Sequence, residues 1–253
     1  MEEKRKILWI FNIFNEACIE MQIQVYWCAE VAAKFPQLAL CIGTISNVVV
    51  ERENEKIRKL KQAVYAEVKA KHDIERLKDD PVVRAYRDFY WKLGIDPTKT
   101  RPSGEALLRR VLRGGELPTI STAVDAYNLA SMKTMIPISG FDMDTLNPPF
   151  NVRFAEEGEP FTGIGMDKPI ALKSNMLVLA DAKSVLCIYP HRDADQTKIT
   201  MKTKNVLLVG YGAPGVTPQQ LEEAVRTALE YIKTVCGGEI QTVKVFSPTP
   251  KQV

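Results

Sequence analysis

The run Tyr189-Pro190-His191-Arg192-Asp193 sets an imidazole, a guanidinium and a carboxylate on three consecutive positions. An imidazole can accept a proton from water or orient it. A guanidinium can bind an oxyanion or phosphate, and a carboxylate can hold an ammonium. The apolar stretch Ser184–Tyr189 precedes the three, which places them on a loop at a strand end, where function concentrates. The bare residues fit a surface loop with a local Arg–Asp pair equally well. His72 and His191 are the only histidines. The five cysteines (Cys18, Cys28, Cys41, Cys187, Cys236) form no C-x-x-C pair and are odd in number. Neither a metal cluster nor a disulfide framework is expected, and a reduced, cytoplasmic setting is. No cofactor is expected.

Other patterns carry less chemistry. Gly210-Tyr211-Gly212-Ala213-Pro214-Gly215 matches G-x-G-x-x-G between a strand and a helix, the context of a dinucleotide site. Pro214 and Pro218 each remove an N–H from the phosphate cradle. Only 38 residues follow Gly215, too few for the rest of a nucleotide fold. A tight turn into a capped helix is the stronger reading. No G-x-S-x-G elbow exists, which removes the usual serine-hydrolase arrangement. Asp125 and Asn128 stand at i and i+3, on one helix face. An asparagine in mid-helix needs a hydrogen-bond partner, either a ligand or a neighbouring loop.

The elements that position these residues can be read from caps and periodicity. Gln22–Cys28 and Leu38–Ile45 read as strands, and Glu51–Asp80 as a long exposed helix. Asp80-Pro81 starts a helix that stops at Gly94, and Asp96-Pro97-Thr98 is a turn. Ser103 is expected to cap a helix ending at Gly114, and Thr122 with Asp125 to form a capping box for a helix through Met132. Asn151–Ala155, Met176–Ala180, Ser184–Tyr189, Asn205–Val209 and Ile240–Phe246 read as strands. Thr217-Pro218 starts a last helix to about Val235, which Gly237-Gly238 stops. The whole is an α+β fold with a mixed sheet, helices mostly early and sheet mostly late. Residues 1–20 are expected to be an extension or an upstream start. The apolar run Ile7–Phe14 is too short to span a bilayer, so no membrane is expected as partner. Residues 21–253 are expected to form one domain.

The net charge of +3 is too small to imply a partner, but between Arg84 and Arg113 eight basic residues face three acids. Such a patch can meet a phosphate backbone or form a solvated helix face.

The segments in order resemble a known family. Tyr86-Arg87-Asp88, Leu93-Gly94-Ile95-Asp96-Pro97 and Arg101-Pro102-Ser103 come first. Leu107-Leu108-Arg109-Arg110, Leu117-Pro118 and Val124-Asp125-Ala126-Tyr127-Asn128-Leu129 follow, then Pro137, Phe141-Asp142 and Asp144. Arg153-Phe154-Ala155, Gly158-Glu159, Ala180-Asp181, Arg192-Asp193 and Thr203-Lys204-Asn205-Val206 complete the series. This order is similar to the stand-alone form of the B3/B4 domain of the phenylalanyl-tRNA synthetase β subunit. It covers about residues 25–212.

The resemblance implies a mixed α+β editing domain with an acyl-binding pocket, acting on tRNA or aminoacyl-tRNA by metal-free hydrolysis of an aminoacyl ester. For that reaction the loop chemistry offers His191 to orient or deprotonate water, Arg192 to bind the terminal ribose-phosphate or carbonyl oxygen, and Asp193 to hold the substrate α-ammonium. Asp125, Asn128, Asp142 and Asp181 are candidates for the substrate, and Arg87, Arg101, Arg109 and Arg110 for tRNA phosphates. The sequence departs from the family where catalysis matters. Ile138 and Ser139 replace a Met-His pair, and Gly165-Met166-Asp167-Lys168-Pro169 lacks the family's glutamate. His191-Arg192-Asp193 replaces a Gly-rich loop. Three readings stand: a trans-acting deacylase, a tRNA-binding module without catalysis, and a pocket protein for a free amino acid.

Overall fold

Two sheets share one hydrophobic core, and the line along which they meet sets the rest of the architecture. The computed structural model describes residues 23–248. The expected extension at residues 1–20 lies outside the described residues. In chain order the elements are β1 (Val25–Trp27), α1 (Ala29–Lys34), β2 (Leu40–Ser46), α2 (Glu55–Lys71), α3 (Pro81–Lys92), α4 (Ser103–Leu112) and α5 (Thr122–Thr134). There follow β3 (Ile138–Asp142), β4 (Phe150–Phe154), β5 (Pro160–Phe161), β6 (Ile170–Ala171), β7 (Leu177–Ala180), β8 (Val185–Ile188) and β9 (Arg192–Asp193). The last three are β10 (Val206–Tyr211), α6 (Pro218–Cys236) and β11 (Glu239–Phe246). The fold is α+β with mixed sheets. Among the described residues no helix is long and apolar enough to cross a membrane.

Local signals explain several helix ends. The Asp80 side chain accepts from Val82 N and Val83 N, with Pro81 at the first helical position of α3. Thr217 and Gln220 complete a reciprocal capping box at α6. Both satisfy backbone donors that a helix start leaves open. Other expectations need correction. The segment 51–80 is broken at His72, so α2 stops at Lys71. Ser103 lies inside α4, and the cap position is Pro102 without a side-chain bond. Ser121, not Thr122, caps α5. Thr122 Oγ1 instead accepts from Glu51 N at 3.0 Å, a contact 71 residues away in sequence.

The four-stranded sheet has the order β11-β2-β10-β3, all antiparallel. The five-stranded sheet has the order β1-β4-β7-β8-β9, with β1 parallel to β4. Sheet is therefore not confined to the later half: β2, near the start, is central in one sheet. β3 was not legible as a strand, because Ile-Ser-Gly-Phe-Asp carries only two large apolar residues.

Successive side chains of a strand point to opposite faces. In the four-stranded sheet Gly43 and Gly210 face α6, where a Cβ would meet Val225 at 2.5 and 2.7 Å. The opposite face presents Ser139 from β3 and Tyr211 from β10 toward the five-stranded sheet. The glycines of the G-x-G-x-x-G segment serve this packing. Gly212 N donates to Ala39 O at 2.9 Å, and a Cβ on Gly212 would sit 2.3 Å from that oxygen. No phosphate cradle is needed to explain them.

Because the obstacle at Gly212 is a backbone carbonyl, it cannot swing aside. Gly212→Ala is expected to lower unfolding stability by about 2 kcal/mol, the scale of overpacking a filled core. Urea denaturation measures it. A midpoint equal to the parent's would show that the strand end yields at no cost.

Candidate active site

The His191-Arg192-Asp193 run lies where the two sheets meet, and the pleat sends its members in different directions. His191 stands in the turn between β8 and β9, held by His191 N donating to Ile188 O at 2.8 Å. Arg192 and Asp193 form β9 and alternate in exposure: Arg192 is exposed and Asp193 partly buried. The Arg192 stem lies over Gly163, where a Cβ would come within 2.6 Å of Arg192 Cδ. Ile164 N donates to Asp193 O at 2.9 Å, so the Gly163 segment adds a further edge beside β9.

Asp193 Oδ1 accepts from Ser139 Oγ at 2.6 Å. That bond joins β9, the edge of one sheet, to β3, the edge of the other. Burial raises the Asp193 carboxyl to about 6 against the opposing pull of the Ser139 hydroxyl and the Arg192 charge. Tyr211 Oη is buried beside Ser139 and Cys187 and has no hydrogen bond of proper geometry. Burial pushes the Cys187 thiol well up, so it stays protonated. Tyr127 on α5 packs against β3 on the face that carries Gly140. Gly140 lets its ring approach, since a Cβ there would meet Tyr127 Cε1 at 2.7 Å.

His191 faces α3. Its ring lies 6.5 Å from that of Tyr90, centroid to centroid. His191 Nδ1 and Tyr90 Oη are both buried without partners. Burial, aided by the Arg192 charge, lowers the imidazole to about 4, so it is neutral at neutral pH. The junction of the two sheets thus holds a neutral imidazole, a carboxyl that titrates at about 6 and sealed polar atoms. Such buried polar groups are costly unless a water or ligand meets them.

The other sequence-selected residues are not brought to this cleft by any hydrogen bond. Asp125 is buried, paired with Lys61 Nζ at 2.6 Å, and accepts from Ile120 N at 2.9 Å. Asp142 accepts from Thr203 Oγ1 at 2.6 Å and caps a short turn. Asp181 accepts from Asn147 N, Lys183 N and Ser184 N, closing the turn after β7. Asn128 is partly exposed.

Arg87 and Arg109 converge on Glu105, which is buried. Arg87 makes a two-pronged pair, with Nε to Oε2 at 2.9 Å, and Arg109 Nε reaches Oε1 at 2.6 Å. Burial alone would raise the Glu105 carboxyl, but the two guanidinium groups outweigh it and hold it below the usual range. Arg110 is exposed and donates to Glu116 O at 2.6 Å; Arg101 is exposed. Two of the four arginines are thus engaged within the fold by a single carboxylate. Sequence reasoning missed Ser139, Tyr90 and Tyr211 as members of the cleft. Ser139 carried one signal, its place directly after Pro137-Ile138 where the family has histidine. Among the described residues no group of three His, Cys, Asp or Glu side chains could hold a metal ion.

Comparison with known proteins gives a consistent family. The family model described as B3/4 domain matches residues 85–237, which include the whole cleft. The phenylalanine–tRNA ligase beta subunit of Haemophilus ducreyi is 28% identical over 160 residues, 54% of this chain and 20% of that protein. The corresponding subunit of Pectobacterium atrosepticum is 28% identical over 155 residues, 52% of this chain and 19% of that protein. The chain spans about a fifth of the length of these curated relatives. An N-terminal fragment of the phenylalanyl-tRNA synthetase beta-subunit from Pyrococcus horikoshii shares 16% identity at a TM-score of 0.47, covering 87% of this chain and 50% of that one.

The two shifted groups make opposite demands on stability. His191 titrates at about 4 when folded against the usual 6.5, so the unfolded chain binds more protons between those values. Stability from this group is lost as pH falls from 6.5 to 4. Asp193 titrates at about 6 against the usual 3.8, so the folded chain binds more protons there, and stability falls as pH rises from 3.8 to 6. Each shift corresponds to about 3 kcal/mol, so the two largely cancel in the parent. Asp193→Asn removes the falling contribution. Its stability relative to the parent is expected to climb between about pH 4 and 6 by up to about 3 kcal/mol. His191→Phe should show the reverse slope. Denaturation across pH measures both, and differences independent of pH would refute the assignments.

Proposed function

This chain belongs to the B3/4 domain family, and on that premise we propose that it recognises the acylated end of a tRNA and hydrolyses a wrongly attached amino acid in trans. The observation that carries the reading is the Ser139–Asp193 pair where the two sheets meet. Its carboxyl, at about 6, is matched to taking a proton near neutral pH.

The roles follow from basicity. Asp193 takes a proton from water as the water oxygen bonds to the ester carbonyl carbon. The ester C–O bond then breaks, and the proton passes to the departing ribose hydroxyl. His191, at about 4, is too weak a base for that step and orients the water instead. Asp193 is given the proton and not the substrate ammonium, because a bound ammonium would pull its carboxyl down again. Arg192, exposed on the other face of β9, meets the terminal phosphate. An aminoacyl ester is already activated, so positioning suffices for much of the rate.

A second reading has one observation in its favour. Arg109 is partly buried and committed to Glu105, which weakens the basic patch expected to hold tRNA. On this reading the cleft binds a free amino acid, and thermal stabilisation by a small ligand would not depend on tRNA.

The test is release of amino acid from a panel of mischarged tRNAs. Asp193→Asn is expected to slow release by about 100-fold or more. His191→Ala should cost less, and the parent's rate should rise to a plateau through about pH 6. Equal rates for the parent and both variants, or no release above the protein-free rate, would remove the deacylase reading.

A further inference from the structure

Helix α3 has two working faces, and only the inner one belongs to the cleft. Phe89 and Tyr90 are buried, yet Trp91, the next residue, is 57% exposed. An exposed indole on a helix is an apolar surface held rigidly in water, and single exposed residues need no explanation unless their neighbours agree. Here they do. Arg84, Arg87, Asp88 and Trp91 fall on one helix face by their spacing. Arg87 is held by Glu105, Arg84 is exposed, and Asp88 is the one acid of α3.

Lys92 follows Trp91 and lines a groove of about 400 Å³ together with Lys34, Phe35, Pro36, Gln37 and Pro214. No acidic side chain lines this groove. Lys34 Nζ is held over aromatic rings, 5.6 Å from the centroid of Phe35 and 5.1 Å from that of Phe154. The surface therefore offers a stacking plane at Trp91 and two lysines at the groove, with Arg84 about two turns back along the helix.

We propose that this outer surface binds a single-stranded RNA segment, with a base stacked on Trp91 and the phosphates of the strand meeting Lys92, Lys34 and Arg84. The proposal rests on the reading of an acylated tRNA end as the ligand, and adds where the strand leading to that end lies. Aromatic planes set among cations are the recurrent device for unpaired strands, because every base has a face to stack and every link a charge. Paired RNA hides its base faces, so it should bind less well. A lipid surface needs a broad apolar face on an amphipathic helix, and α3 spends its apolar face on the core. The position also fits. Tyr90, on the inner side of α3, packs toward His191. A strand on the outer side would lie about one helix diameter, roughly 10 Å, from the turn.

The experiment is fluorescence anisotropy of a labelled single-stranded RNA of about twelve nucleotides ending in CCA, titrated at several salt concentrations. Trp91→Ala should weaken binding about tenfold, the scale of one lost stacking contact. Lys34→Ala with Lys92→Ala should flatten the salt dependence by about 1.4, two phosphate contacts' worth. Arg226→Ala, an exposed cation on α6, should change neither. Thermal unfolding checks that each variant is folded. Binding by both α3-side variants equal to the parent's overturns the proposal. So does equal affinity for a duplex of the same length, or binding to anionic vesicles but not to RNA. The deacylase reading fails separately. Trp91-dependent RNA binding without ester hydrolysis leaves the surface standing alone, whereas hydrolysis with KM unmoved by Trp91→Ala sinks the surface and leaves the deacylase.

Discussion

The hydrogen bond from Ser139 to Asp193 is the contact on which the cleft depends. It is the side-chain link between the edge of one sheet and the edge of the other, across 54 residues of sequence. Ser139 can make it only because β3 presents it away from α5 and α6, on the face opposite the one that carries Gly140. Asp193 can receive it only because β9 turns its carboxylate inward while Arg192 points out. The same enclosure that shortens the bond strips water from the carboxyl and raises it toward neutrality. A buried carboxylate is normally a cost. Here the cost is concentrated at one group that can exchange a proton near physiological pH, as functional sites tend to do.

Helix α3 connects this cleft to the rest of the molecule. Its start is fixed locally by Asp80 and Pro81, and its inner face by the aromatic chain Phe35, Phe89, Tyr189 and Tyr211. Tyr86 Oη donates to Tyr211 O, and Tyr189 Oη donates to Gly212 O at 3.0 Å, so the tyrosines also tie the end of β10 in place. On its flank, Arg87 and Arg109 share the buried Glu105. Removing one partner of such a buried cluster leaves uncompensated charge, costing about 3–5 kcal/mol. Arg87 therefore holds α3 against α4, while Arg109 pairs with the same carboxylate within α4. That leaves the free positive charge of the region to Arg84, Lys92, Arg101, Arg110 and Arg113.

The departures from the family become coherent in this setting. Ser139 stands where the family has histidine, and His191-Arg192-Asp193 stands in place of a Gly-rich loop. In the structure these two changes face each other. A hydroxyl on β3 meets a carboxylate on β9, and the His191 imidazole stands in the turn beside Tyr90. The two changed positions are thus joined by a hydrogen bond.

Much of this molecule follows from short-range sequence. Helix starts at Asp80-Pro81 and Thr217-Pro218 are local hydrogen-bonding problems, solved within four residues, and so are visible without a fold. The buried strands 177–180, 185–188 and 206–211 are apolar on both faces and announce themselves. The run His191-Arg192-Asp193 was legible as chemistry because its residue types are adjacent. What each of the three does was not legible, since direction depends on the pleat and on what lies opposite. β3 was hidden because its serine and glycine are chosen for neighbours distant in sequence, Asp193 and Tyr127. Glu105 looked like one acid in a basic stretch, and only burial between Arg87 and Arg109 made it the anchor of that stretch. Sequence alone determined several helix starts, the apolar strands and the residue types available to react. Tertiary structure decided which groups lose water and which find a partner, because both depend on contacts that no local window contains.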